Sequence, residues 1–226
     1  LAYYPHEIAI PQNGGSRFDN AENPTRCMLN APAAKEAIQF CNDLSHKYKV
    51  SPTMSDFQDT DGRTMFVIGR IAMIPDGHWM VPRFKKEINK FKWDVVVLPR
   101  KKQQAGSGRG SGFAIPSGSK NKEAAFRFIK FVTGFEGQKI LMKAGFSMPA
   151  LKTIAKSVHF QNPPPENKQA FIDMTKAAVL EPKLESWNEV QDMEDSELDR
   201  IWVNEEKAET VLKRLAKNLN KIIQKK

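Results

Sequence analysis

Apolar residues fall at helical spacing through the end of the chain. Ala208, Val211, Leu212, Leu215, Leu219, Ile222 and Ile223 form one stripe with lysines opposite, which predicts an amphipathic C-terminal helix buried by one face. A second helix is predicted after Asn30, the expected N-cap, with Pro32 in its first turn. Its core stripe is Ala34, Ala37, Ile38, Cys41, Leu44 and Tyr48, and Val50-Ser51-Pro52 ends it. A third, capped by Ser119 or Asn121, presents Ala125, Phe128, Ile129 and Val132. Gly134 closes it, and another helix follows over Phe135–Lys143. Short helices are expected over 152–158 and 165–180, and residues 181–189, including Trp187, read as extended.

Strand signals lie between these helices. Ile71–Ile74 is a short apolar run closed by Pro75 and Gly77, and reads as a buried strand entering a turn. Trp93–Leu98 is a β-branched run stopped by Pro99. Its lack of alternation predicts a strand covered on both faces. Phe113–Ile115 gives a third short strand. Residues 1–20 read as irregular around an Asn13-Gly14-Gly15 turn. Residues 56–64 read as a loop or weak helix, 82–91 as a basic connection and 147–151 as a turn. Gly106–Gly112 reads as a flexible crossover, because it lacks the Gly-Lys-Ser/Thr ending of a P-loop.

Composition narrows the function classes. The chain has 226 residues, 40% hydrophobic and 27% charged, enough for one large or two small globular domains. Its apolar stretches are too short to span a membrane. Leu1–Ile10 has none of the parts of a signal peptide, and the chain opens on Leu rather than Met, so a segment ahead of it is expected. The net charge of +9 comes from lysines on solvent faces, without zinc-finger, zipper or RNA-binding signatures, so no nucleic-acid partner is expected. Cys27 and Cys41 are too few for a disulfide framework or a structural zinc site, though one bridge between them stays open.

Candidate chemistry centres on Gly69–Trp79. A Trp just past a buried strand, beside a glycine that permits close approach, suits stacking on a flat ligand; the alternative is a core Trp. Asp76, Gly77 and His78 adjoin it and offer polar groups to a ligand or to the turn backbone. Ser117-Gly-Ser119-Lys120 matches the Ser-x-x-Lys nucleophile motif, but its partner motifs are absent and a helix start is the simpler reading. The histidines His6, His46, His78 and His159 show no metal-ligand spacing. No enzyme, cofactor or metal site is expected.

The order of motifs carries a resemblance. The Asn-Gly-Gly turn and Asn-x-Pro helix lead to Phe66-x-x-Gly-Arg-x-Ala-Met73 with Gly-x-Trp79. After these stand Trp93-Asp94-x-x-x-Leu98-Pro99, Gly112-Phe-Ala-Ile115, Ser119-Lys-Asn-Lys-Glu-Ala-Ala125, Gly137-Gln138, and Gly145 with Pro149-Ala-Leu151. From about Asn13 onward the chain resembles the C-terminal part of the family 1 extracellular solute-binding proteins of ABC transporters, the maltose-binding-protein-like group.

The resemblance implies an α/β, periplasmic-binding-protein type II-like fold: mainly the second lobe, with a segment of the first, whose N-terminal part is absent. Residues 1–105 would begin the second lobe, 106–151 would cross into the first, and 152–226 would return as C-terminal helices. The implied function is an extracytoplasmic receptor, periplasmic or lipid-anchored. It would bind a sugar or other small solute in an interlobe cleft and deliver it to a permease. Trp79 would stack on a sugar ring. Asp76, Gly77, His78, Ser111 and Gly112 would supply polar contacts, and Trp187 would approach the cleft from a late segment. A missing lobe or a second chain is an expected partner. A Ser117/Ser119–Lys120 hydrolase and a basic nucleic-acid module are the alternatives.

Overall fold

The computed structural model describes residues 5–145, 148–157 and 163–224, and it divides into two compact units. One comprises residues 1–75, 98–108 and 177–226; the other comprises 76–97 and 109–176. The expected turn position Ser147, and Val158 and His159, lie outside the described residues.

The first unit is built on the predicted C-terminal stripe. Helix α10 (Ala208–Ile223) buries Ala208, Val211, Leu212, Leu215, Ala216, Leu219, Ile222 and Ile223. They join a core with Val190, Leu198 and Ile201 of α9 (Trp187–Trp202) and Ala34, Ala37 and Ile38 of α2 (Pro32–His46). Each fully buried Leu, Ile or Val contributes roughly 1.5–3 kcal/mol, so this seam dominates the stability of the unit.

Two boundaries of α2 differ from expectation. Its N-cap is Ala31, without a side-chain cap, rather than Asn30, and Pro32 starts the helix. Tyr48 lies past the end at His46 and is 53% exposed. Residues 5–12 form α1 (Pro5–Gln12) rather than irregular chain. Pro5 is tolerated at the helix start, and the Asn13-Gly14-Gly15 turn ends it. Gly14 sits at φ +73°, and Gly15 N–H donates to Ile10 O at 2.9 Å. Asn13 Nδ2 then donates to Ala33 O at 2.7 Å and Glu36 Oε2 at 2.9 Å, tying the turn to α2. Asp61 caps α3 (Gly62–Val67), accepting from Arg63 N and Thr64 N.

The described sheet is small. Strand β1 (Gly106–Gly108) pairs in parallel with β2 (Ala178–Leu180), Gly106 opposite Ala178 and Gly108 opposite Leu180. The first residues of the predicted crossover are therefore strand. A Cβ at Gly108 would lie 2.8 Å from that of Ala178, so only glycine lets the strands approach this closely.

None of the three predicted strands forms among the described residues. Ile71–Ile74 is irregular, because Arg70 N and Ile71 N turn back to Met65 O to close α3, and Met73 is 85% exposed. Trp93–Leu98 is not covered on both faces: Val96 is 80% exposed. At Val95 the backbone is satisfied by side chains instead of a ladder. Asp94 Oδ1 accepts from Val95 N and Asn167 N, and Asn167 Nδ2 donates to Val95 O at 3.1 Å. Phe113–Ile115 is likewise irregular, with Phe113 edge-on to Phe128.

In the second unit, α4 (Val81–Glu87) occupies the predicted basic connection and buries Val81 and Phe84. Helices α5 (Lys122–Thr133) and α6 (Phe135–Lys143) follow as predicted, with Asn121 at the N-cap position of α5. Gly137 lets α6 close onto the end of α5, since a Cβ there would fall 2.3 Å from Phe131 O. The α5 core stripe is only half-buried, and Phe128, expected inside, is 58% exposed. The short helices α7 (Lys152–Ala155) and α8 (Gln169–Met174) complete the unit.

Candidate functional site

The candidate turn is built from five consecutive residues, Asp76 to Met80. Gly77 N–H donates to Asp76 Oδ1 at 2.8 Å, and Met80 N–H donates to Gly77 O at 3.1 Å. This closes a single 3-10 turn over His78–Met80 that runs directly into α4, where Pro82 supports the first turn.

A turn this tight sends neighbouring side chains in opposite directions. His78 is 7% exposed and packs edge-on against Phe171, with ring centroids 5.2 Å apart. Trp79 is 54% exposed, so it is not a core residue within its unit. Its indole folds back over Gly77: a Cβ there would lie 2.1 Å from Cζ3 and 2.2 Å from Cη2. Glycine at this position is what lets the edge of the six-membered ring come this close to the backbone.

Burial, with Lys168 and Lys85 nearby, pulls His78 down to about 4, so at neutral pH its imidazole is uncharged. Lys168 is itself buried and is pulled down to about 8, first by burial and then by Lys85. The turn thus offers an apolar indole face and the Asp76 carboxylate, with the neutral imidazole of His78 and the Lys168 ammonium buried. Such a set suits a neutral polyol with apolar C–H faces.

Asp76, Gly77, His78 and Trp79 are brought together. Ser111 and Gly112 lie in the same unit, both exposed, and a Cβ at Gly112 would meet open space. Trp187 belongs to the first unit. It opens α9, where the extended reading of 181–189 gives way, because Ser186 takes the N-cap position and Glu189 the first turn. Its ring is half-buried, edge-on to Phe18 at 6.5 Å, with the Arg17 guanidinium 4.8 Å from its centroid.

Sequence reading missed the charged cluster beneath Trp187. Arg17 pairs with the buried Glu194 through Nη2 and Nε, and with Glu7 through Nη1 at 3.4 Å. Ser107 Oγ donates to Glu7 Oε2 at 3.0 Å, and His6 Nε2 lies 3.9 Å from Glu194 Oε2. Burial pushes Glu194 up, while Arg17 opposes that shift. Arg17 and Glu194 stand 177 positions apart, so no local spacing could have shown the pair.

The Ser-x-x-Lys match serves a helix start: Ser119 Oγ accepts from Asn121 N–H. Among the described residues, no group of three or more His, Cys, Asp or Glu could hold a metal. Nor is any described helix long and apolar enough to cross a membrane.

Comparison with known proteins agrees with the resemblance. The sequence profile of the bacterial extracellular solute-binding proteins matches residues 3–168. A maltooligosaccharide ABC transporter solute-binding lipoprotein of Streptococcus pneumoniae is 35% identical over 99 residues, 41% of this chain and 23% of that protein. Among solved structures, an ABC substrate-binding protein of Listeria monocytogenes in complex with cycloalternan superposes with a TM-score of 0.85 at 28% identity. The match covers 98% of this chain and 56% of that one. A solute-binding protein from Thermotoga lettingae bound with α-D-tagatose has the same fold, with a TM-score of 0.82 at 24% identity, covering 97% and 56%. The chain spans little more than half of these solved relatives. Its fold is the α/β type of the type II periplasmic-binding class, and the family it matches is one of extracellular binding proteins rather than enzymes. The chain belongs to the bacterial extracellular solute-binding protein family.

Proposed function

We propose that this chain is part of the sugar-binding receptor of an ABC importer, with Trp79 as the stacking surface for a sugar ring. The observation that carries the reading is the half-exposed indole laid over Gly77 on a tight turn. A pyranose presents C–H groups on its faces and hydroxyls around its rim; an indole matches the first, and fixed polar groups match the second. Asp76, with Ser111 and Gly112 of the same unit, would supply polar contacts to the sugar rim, His78 would support the turn from its buried side, and Trp187 of the first unit is a separate candidate aromatic surface. The relatives support the ligand class: the pneumococcal protein is described for maltooligosaccharides, and the Listeria structure holds cycloalternan. The complete receptor would bind its sugar in an interlobe cleft and hand it to a membrane permease.

The same reading assigns a partner to α5. On one face of it Phe128 and Phe131, three residues apart, are 58% and 55% exposed. Such a face calls for a covering surface, which the part of the fold without a counterpart in this chain, or a second chain, would supply.

Calorimetric titration with a panel of maltooligosaccharides, cyclic glucans and single monosaccharides tests the ligand class. Saturable heat with glucans supports the proposal. Saturable binding of a non-carbohydrate solute alone would overturn it.

A further inference from the structure

We infer that Arg17 is a positioning residue for Trp187, its guanidinium clamped by Glu7 and Glu194 so that the indole is held in one orientation. Three observations on different parts of the first unit carry this. The guanidinium lies 4.8 Å from the Trp187 ring centroid, within range of a cation–π contact. Its side chain is only 12% exposed and bonds carboxylates on both sides, Glu194 on α9 and Glu7 on α1. Phe18, adjacent to Arg17, meets the same indole edge-on.

Chemistry explains why Arg stands here. A planar guanidinium can pair with two carboxylates through its edges while laying its face on a ring; a lysine ammonium is a point charge with no plane to stack. Both carboxylates are themselves fixed. Glu194 is 1% exposed on a helix whose first residue is Trp187, so carboxylate and indole move with one rigid element. Glu7 takes a further hydrogen bond from Ser107 on β1. Arg17 therefore ties the turn after α1, the sheet and the start of α9 together beneath one aromatic side chain. What Trp187 is held to do rests on the sugar-binding reading above; that Arg17 holds it does not.

The test uses the 226-residue chain labelled with 5-fluorotryptophan, whose four tryptophans give separate fluorine resonances. The Trp187 signal is assigned by its loss in Trp187→Phe. Arg17→Met strands two buried carboxylates and is expected to destabilise the fold, so Arg17→Lys is the informative variant. In folded Arg17→Lys the Trp187 resonance is expected to shift and broaden while the other three stay in place, and glucan affinity to fall about tenfold. Leu219→Ala, a core change in α10, should leave the Trp187 resonance unmoved.

An unchanged Trp187 signal in folded Arg17→Lys would overturn the inference, as would an equal disturbance by Leu219→Ala. A Trp187 signal that responds to Arg17→Lys, in a chain whose resonances ignore every glucan, would sustain the positioning role and count against the sugar reading alone.

Discussion

The Trp79 indole rests on Gly77 so closely that a methyl group there would come within 2.1 Å of the ring. The two residues form one device, a glycine that leaves room and an indole that fills it, presented by the 3-10 turn that feeds α4.

Gly77→Ala must displace the ring. Because Trp79 is half-exposed, the ring can swing into solvent, so the stability cost should stay under about 1 kcal/mol. Iodide quenching of Trp79 in a variant with its other tryptophans replaced by Phe should rise, and glucan affinity should fall. A ring that stays equally shielded in Gly77→Ala would contradict the packing described.

Core and surface apolar residues should separate sharply under urea. Leu212, fully buried in the α10 seam, is expected to cost about 2–5 kcal/mol as Leu212→Ala. Phe128→Ala, on the open face of α5, should fall within about 0.5 kcal/mol of the parent. A large loss for Phe128→Ala would mean that the face is already covered in solution.

These two positions show what the sequence could and could not reveal. The α10 stripe was legible because a helix carries its own hydrogen bonds, leaving only one face to be read from period. Phe128 sits on an equally good helical stripe, yet period says nothing about whether a partner is present. Val95–Val97 failed for the related reason that a strand is defined by its neighbour. Here Asn167 and Asp94 satisfy the backbone of Val95, and no described strand lies beside it. Trp79 was legible as a candidate from its glycine and its turn. Arg17 was not, because its partner Glu194 is brought in by tertiary packing alone.

The pH dependence should carry the mark of His78. Its folded value is depressed to about 4 from an unfolded 6.5, so the unfolded state binds more protons between those values. The His78 contribution is full above pH 6.5 and is lost as pH falls toward 4. Lys168 acts in the same direction at higher pH, losing stability as pH falls from 10.5 toward 8. Melting curves of His78→Gln should decline less than the parent between pH 6.5 and 4. An identical slope would place the acid sensitivity elsewhere.

Both cysteines should resist modification. Cys27 and Cys41 are free and 1% and 3% exposed, and burial pushes each thiol up to about 12. At pH 8 a thiol-reactive disulfide reagent should label the native chain slowly, and both thiols promptly after denaturation. Rapid native labelling would show that the seam between α2 and the residues around Cys27 opens readily.

Stacking of a sugar on Trp79 is read out by tryptophan fluorescence during glucan titration. A saturable change in this chain, or in the chain extended by the rest of its fold, that vanishes in Trp79→Ala is the predicted result. A saturable change that Trp79→Ala leaves intact, or none in either chain, would contradict it.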